Sequence, residues 1–226
     1  MNPDLGDDSW RRTLHASAAA QFLSMIGFSF GFPFLPFYIR ELGVEDPMAV
    51  RKWAGIVGSA AGFTMAFFAP VWGGLADRYG RKMMVLRSMF GAALIVALMG
   101  FAQRPEHLVV LRLIQGALSG TITANMALVA GVAPAARTGY AIGLIHAAAH
   151  AGRIVGPALG GVWADRFGCR SSFWIGGLIL VAAGWLIKRH TREPAPPDGP
   201  TDRASGSYAA LFTLAGFSVA LLAMFQ

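Results

Sequence analysis

The chain has 226 residues, 55% of them hydrophobic and only 14% charged, with a mean hydropathy of +0.51. A soluble domain carries about 25% charged residues, so a water-soluble globule is excluded. The formal net charge of +7 suggests nucleic acid. The basic residues, however, sit in short stretches between apolar runs, with no basic stripe interleaved with aromatics, so a nucleic-acid partner is excluded too.

A helix needs about 20 predominantly apolar residues to cross a bilayer. Seven stretches are candidate spans: 16–38, 54–75, 83–102, 108–132, 140–163, 172–187 and 208–225. The sixth is short and needs its flanks to complete a crossing. The first follows paired arginines, Arg11 and Arg12, as a secretory leader would. Its apolar run continues through Phe28, Phe34 and Tyr38, past the ~15 residues of a leader core, so it reads as a retained first span. The polar stretch 191–207 is rich in Pro, Gly and Ser and reads as a flexible cytoplasmic linker. Basic residues on the side of the N-terminus (Arg11, Arg12, Arg78, Arg81, Lys82, Arg137, Lys188, Arg189, Arg192, Arg203) outnumber those opposite (Arg40, Arg51, Lys52, Arg104, Arg166, Arg170). The positive-inside rule then places the N-terminus in the cytoplasm of a cell inner membrane. An all-α integral membrane protein, embedded in lipid bilayer, is the expected class.

One phrase occurs twice. PVWGGLADRYGRK runs from Pro70, and PALGGVWADRFGCR runs from Pro157 with one extra residue. Asp77 and Asp165 stand 88 positions apart, an interval that holds three spans. An odd number of crossings places the second copy at the opposite membrane face, the mark of an inverted-topology repeat in secondary transporters. The phrase suits a gate. Its glycines, Gly73 and Gly80 among them, let helices approach. Asp77 can accept from N–H groups at a helix N-terminus, and Arg78, Arg81 and Lys82 can pair with carboxylates or lipid headgroups. The plainer reading is a positively charged membrane anchor.

GGLADRYGRK, from Gly73 to Lys82, resembles the loop 2/3 motif of the major facilitator superfamily. RLIQG, from Arg112 to Gly116, is similar to its fourth-span R-x-x-x-G motif. GRIVGPALGG, with Gly152, Gly156, Pro157, Gly160 and Gly161, is similar to the pattern of its drug:proton antiporters. The resemblance covers about residues 15–190. It implies an exporter of small hydrophobic or amphipathic molecules with a proton as coupling ion. It also implies half of a twelve-helix fold: 1–190 as the N-terminal six-helix bundle of two inverted three-helix repeats, 191–207 as linker, and 208–226 as the start of a second bundle. The partner expected is therefore a missing C-terminal half or a second copy of the chain.

Arg112 in span four and Arg153 in span five are expensive in lipid, about 3 kcal/mol each at a helix centre. Such residues mark substrate or proton paths, the alternative being snorkelling to an interface. His146, His150, Arg153 and Pro157 fall within an arc of about 60° on one helix. Imidazole titrates near neutral pH, so the histidines can carry a proton or simply bond neighbouring carbonyls. Phe30 and Asn125 are the candidate cavity-lining residues. No acid lies inside a span, so the proton-carrying carboxylate lies elsewhere, or the histidines replace it, or the substrate is not a cation. The single cysteine, Cys169, excludes a disulfide within the chain. No metal-ligand, nucleotide-loop or nucleophile pattern occurs, so neither metal, cofactor nor enzymatic activity is expected. An uptake permease and a non-transporting membrane subunit are the alternatives to export.

Overall fold

The computed structural model describes residues 4–191 and 193. The expected linker beyond these and the seventh span lie outside the described residues. Eight α-helices make six crossings: α1 (Asp4–Gly31), α2 (Leu35–Glu41), α3 (Pro47–Tyr79), α4 (Arg81–Met99), α5 (Pro105–Leu118), α6 (Thr121–Val132), α7 (Thr138–Phe167) and α8 (Cys169–His190). A single 3₁₀ turn, Phe32–Phe34, joins α1 to α2 where Pro33 and Pro36 interrupt the hydrogen-bond ladder. Among the described residues, four stretches are by length and composition apolar enough to cross a membrane: Trp10–Glu41, Arg81–Met99, Pro105–Val132 and Cys169–His190. The helices α3 and α7 are longer than any other, at 33 and 30 residues.

The fourth span was expected to be one helix over 108–132. It is two, α5 and α6, separated at Ser119 and Gly120. Gly120 has φ +123, which an L side chain rarely adopts and glycine tolerates.

Packing shows the inverted repeat directly. Gly152 lies against Phe22 and Met25, Gly156 against Ser29 and Gly160 against Phe30, so α1 and α7 run parallel. Arg112 reaches Val57, Gly116 lies on Ala61 and Trp72 reaches Ala117, so α3 and the fourth crossing also run parallel. Gly27 faces Gly176 while Gly31 faces Phe173, so α1 and α8 are antiparallel. Exchanging crossings one, two and three for four, five and six therefore reproduces the neighbour list: α1 on α7 answers to α5 on α3, and α1 on α8 to α5 and α6 on α4. The two phrase copies end in matching turns. Gly80 (φ 92, ψ 149) and Gly168 (φ 81, ψ 159) each close one helix and open the next.

The core is layered along the bundle. Tyr38, Ile39, Met99, Leu108, Phe173 and Leu180 share the largest apolar cluster. The Tyr38 hydroxyl donates to Met99 O at 2.9 Å, so a phenol inside an apolar layer keeps a partner. Trp10, Leu14, Val129, Ala141 and Ile145 form a second layer near the opposite end.

Candidate functional site

The first phrase copy ends at Gly80, and the N–H groups of the helix that follows have no intrahelical partner. Glu193 supplies one. Its carboxylate accepts from Arg81 N at 2.5 Å and from Lys82 N at 3.0 Å. A negative charge at a helix N-terminus is favourable. Lys82 Nζ donates to Lys188 O and Thr191 O at 3.1 and 2.6 Å, and Arg81 Nη1 donates to Ala127 O at 2.9 Å. This turn therefore gathers α3, α4, α6 and the end of α8. The side chains of Asp77 and Arg78, and the surroundings of Gly73, lie outside the described residues.

The second copy is built otherwise. Among the described residues no side chain accepts from the N–H groups after Gly168, where Glu41 bonds the Cys169 thiol instead, and a Cβ at Gly168 would meet nothing within 4 Å. The Trp163 indole N–H donates to Ser171 Oγ at 2.9 Å. The turn sits beside the other bundle end, since Arg170 O lies next to Gly100 and the Phe101 and Trp174 rings pack 5.2 Å apart.

Between these ends the small residues of α7 set its distance from α1. A Cβ at Gly152 would lie 2.5 Å from Phe22 O, and one at Gly156 or Gly160 would collide with Ser29 Oγ or Phe30 O. Only glycine fits there. Gly161 is looser, with the Phe34 ring 3.2 Å from a Cβ position, and Pro157 stands within the helix. The adjacent face carries His146, His150 and Arg153, all exposed. The two imidazoles stack with centroids 6.4 Å apart and planes 21° apart. Gly152 marks the depth: it packs beside Phe22, Met25 and Ile26, midway along the Trp10–Glu41 crossing.

Arg112 is held by structure on all sides. Nε donates to Val57 O at 3.0 Å, Nη2 to Gly58 O at 3.4 Å and Nη1 to Gln115 Oε1 at 2.7 Å. The guanidinium also lies 4.0 Å from the Phe32 ring centroid. Thr64 Oγ1 to Leu113 O at 2.8 Å and Trp72 Nε1 to Ala117 O at 2.5 Å continue the same seam.

The pattern of the Major Facilitator Superfamily matches residues 17–226. This chain belongs to that superfamily. Among curated proteins it is 39% identical over 180 residues to "Multidrug resistance protein MdtG" of Proteus mirabilis, covering 80% of this chain and 45% of that protein. It is 38% identical over 197 residues to the MdtG of Citrobacter koseri, covering 87% and 48%. The chain thus spans about half the length of the curated relatives it matches. The human organic anion transporter MFSD10 superposes with TM-score 0.71 at 20% identity, covering 90% of this chain and 52% of that one. An inward-facing, unoccupied bacterial homologue of the lysosomal transporter Spinster gives 0.72 at 17% identity, covering 94% and 49%. At these identities the solved structures show the fold, half of the superfamily's all-α membrane architecture.

Within that superfamily fold, the expected path residues separate into two groups. His146, His150 and Arg153 share one exposed face, whereas Arg112 is tied into the α3–α5 seam. Phe30 and Asn125 are both buried within this bundle. Phe30 is 4% exposed, and its backbone lies against Gly160. Asn125 is fully buried, its amide donating to Ser17 O and Gln21 Oε1 at 3.0 and 3.1 Å. Three residues escaped the sequence reading. Arg87 lies inside span three, 3.4 Å from the Trp72 ring centroid, with Nη1 donating to Leu118 O at 3.3 Å. Glu193 was assigned to the linker. Gln21 was hidden in an apolar run, where an uncharged polar residue two turns from any charge carries little signal.

Proposed function

We propose that this chain forms the amino-terminal bundle of an alternating-access exporter of small hydrophobic or amphipathic molecules, driven by proton antiport. Its amino terminus lies in the cytoplasm, residues 191–207 link the bundles, and 208–226 begin the second. A complete path takes a second bundle, from a carboxy-terminal half or a second copy. The observation that carries the reading is the pair of turns at Gly80 and Gly168, one phrase in one backbone conformation at opposite bundle ends. Two equivalent ends that close in turn are what alternating access requires. The multidrug-resistance name of the relatives supports export.

The physics is electrostatic at the ends and steric between them. The Gly80 turn holds one end shut through the Glu193 carboxylate and the Lys82 ammonium. Among the described residues the Gly152, Gly156 and Gly160 seam carries no directional bond except through Ser29, and so permits rocking. His146 and His150, side by side on the exposed face of α7, are the groups assigned to carry the proton. The test is reconstitution in vesicles with an imposed pH gradient. Dye accumulation that collapses with the gradient supports the reading, and flux equal to that of empty vesicles refutes it. Orientation has its own test: in a Cys169→Ser background, Gln103→Cys labels with an impermeant thiol reagent from outside cells and Tyr79→Cys does not.

A further inference from the structure

We infer that the exposed face of α7 bearing His150 and Arg153, with His146 one turn away, receives the anionic group of an amphipathic substrate. The inference rests on the transporter reading above and names its substrate class. Its starting point is a difference among three arginines within the crossings. Arg87 has a carbonyl and an indole ring as partners, and Arg112 has two carbonyls, an amide and a phenyl ring. Both are tied to partners in place, Arg112 through all its contacts and Arg87 through Nη1 and its ring contact, with Arg87 Nε left unpaired. Arg153 makes no hydrogen bond or ion pair among the described residues, and its side chain is exposed. It sits at the depth of Phe22 and Ile26, so about 15 Å of hydrocarbon separates it from either interface. A lone guanidinium cannot snorkel that far, so this face borders a polar space.

Charge in that space takes an opposite charge. The helices packed on α7 are α1, α6 and α8, with the acid-free 3₁₀ turns Phe32–Phe34 and Ala135–Arg137 also against it. Acids on these four helices occur only at their ends: Asp4, Asp7 and Asp8 at the start of α1, and Asp165 in the last turn of α7. The remaining described acids, Glu41, Glu45, Asp46, Asp77, Glu106 and Glu193, are likewise at ends or turns. The bundle therefore offers permanent positive charge at mid-depth and no internal anion to match it. A carboxylate, sulfonate or phosphonate fits: it accepts bidentate N–H bonds from a guanidinium and further bonds from the stacked imidazoles. Beyond Arg153 the same line continues as Pro157, Gly161 and the Phe34 ring, an apolar surface for the rest of the molecule. A lipophilic cation meets repulsion at this face.

Two pyrene probes that share a ring and differ in charge decide it. The full 226-residue chain is placed in zwitterionic nanodiscs and titrated with pyrenebutyrate and with pyrenebutyl-trimethylammonium, binding being read by tryptophan-to-pyrene energy transfer. The butyrate binds tighter by about tenfold or more, as a desolvated charge pair gives. Arg153→Gln abolishes that preference, and Arg153→Lys keeps part of it, which separates charge recognition from misfolding. Equal binding, tighter binding of the cation, no binding of either probe, or an unchanged preference in Arg153→Gln each overturns the inference. Vesicle export separates the two readings. Export of the cation but not the anion overturns this inference and leaves the transporter. Export of neither probe overturns the transporter reading as well.

Discussion

Along the α1–α7 seam, Gly152, Gly156 and Gly160 bring two backbones into contact. Along the equivalent α3–α5 seam one glycine, Gly116, does this, and the remaining attachment is hydrogen bonds from Arg112, Thr64 and Trp72 to backbone carbonyls. Inverted symmetry places both seams alike, so the difference is chemical. Close packing of small residues has no preferred register beyond the fit of surfaces. A guanidinium fork aimed at two carbonyls has one register. Of the two seams between the repeats, one is therefore built to shift and the other to hold. The turns differ in the same spirit: the Glu193 carboxylate takes the N–H groups after Gly80, whereas after Gly168 the carboxylate of Glu41 meets only the Cys169 thiol among the described residues.

The largest expected effect comes from filling the glycine seam. Gly160→Leu drives a side chain into Phe30 O, and folded protein is lost, read as the absence of a monodisperse peak after mild extraction. Gly116→Leu meets Ala61 O and does the same. If Gly160→Leu extracts normally, the seams are not equivalent in closeness and the comparison fails.

Arg112→Met comes next. It removes three hydrogen bonds and leaves Gln115 and two carbonyls unpaired, a loss of about 2–4 kcal/mol in reversible unfolding. Arg112→Lys recovers little of it, because an ammonium lacks the planar fork. No residue of the α1–α7 seam should show this dependence on donor geometry.

The turns offer a matched pair. Gly80→Ala and Gly168→Ala each force alanine to positive φ, at about 1–3 kcal/mol. Gly80→Ala costs more, because its Cβ lands 2.8 Å from the Glu193 carboxylate. Adding Glu193→Ala to Gly80→Ala relieves that collision, so the pair is non-additive in a double-mutant cycle. Additivity would mean that Glu193 does not hold the turn.

Glu193→Gln is the mildest. It keeps an acceptor and removes the charge, so α4 loses roughly 0.5–1 kcal/mol of N-terminal stabilisation. That loss shrinks in high salt. A conformational readout is more sensitive than unfolding: thiol labelling of Tyr79→Cys in the Cys169→Ser background speeds up as the turn loosens.

Much of this was legible because membrane folds write their constraints coarsely. Length and hydropathy mark the spans, and an odd number of them between two copies of one phrase yields the inverted repeat. What escaped was local. Ser119–Gly120 is an ordinary turn signal, but apolar runs on either side made 108–132 read as one helix. Asn125 is polar and mid-span, and a polar residue there reads as cavity-lining until packing shows that Gln21 and Ser17 occupy its amide. Arg87 lies close after Arg81 and Lys82 in sequence, so its charge merged with theirs. Glu193 sits in polar sequence, and only the fold brings it to Arg81, over a hundred residues away in the chain.

The break in the fourth crossing divides loyalties. Its first half, α5, packs on α3 and α4, while its second half, α6, packs on α4, α7 and α1. One polypeptide rod thus serves the hydrogen-bonded seam at one end and packs beside the two helices of the glycine seam at the other, with a single left-handed residue between them. A continuous helix would carry any tilt at one seam straight into the other, as a lever does. A jointed one works as a universal coupling: Gly120 turns about its own φ and ψ while Arg112 keeps its grip on Val57 and Asn125 keeps its grip on Gln21. This bundle can in this way flex at its middle without either seam coming apart.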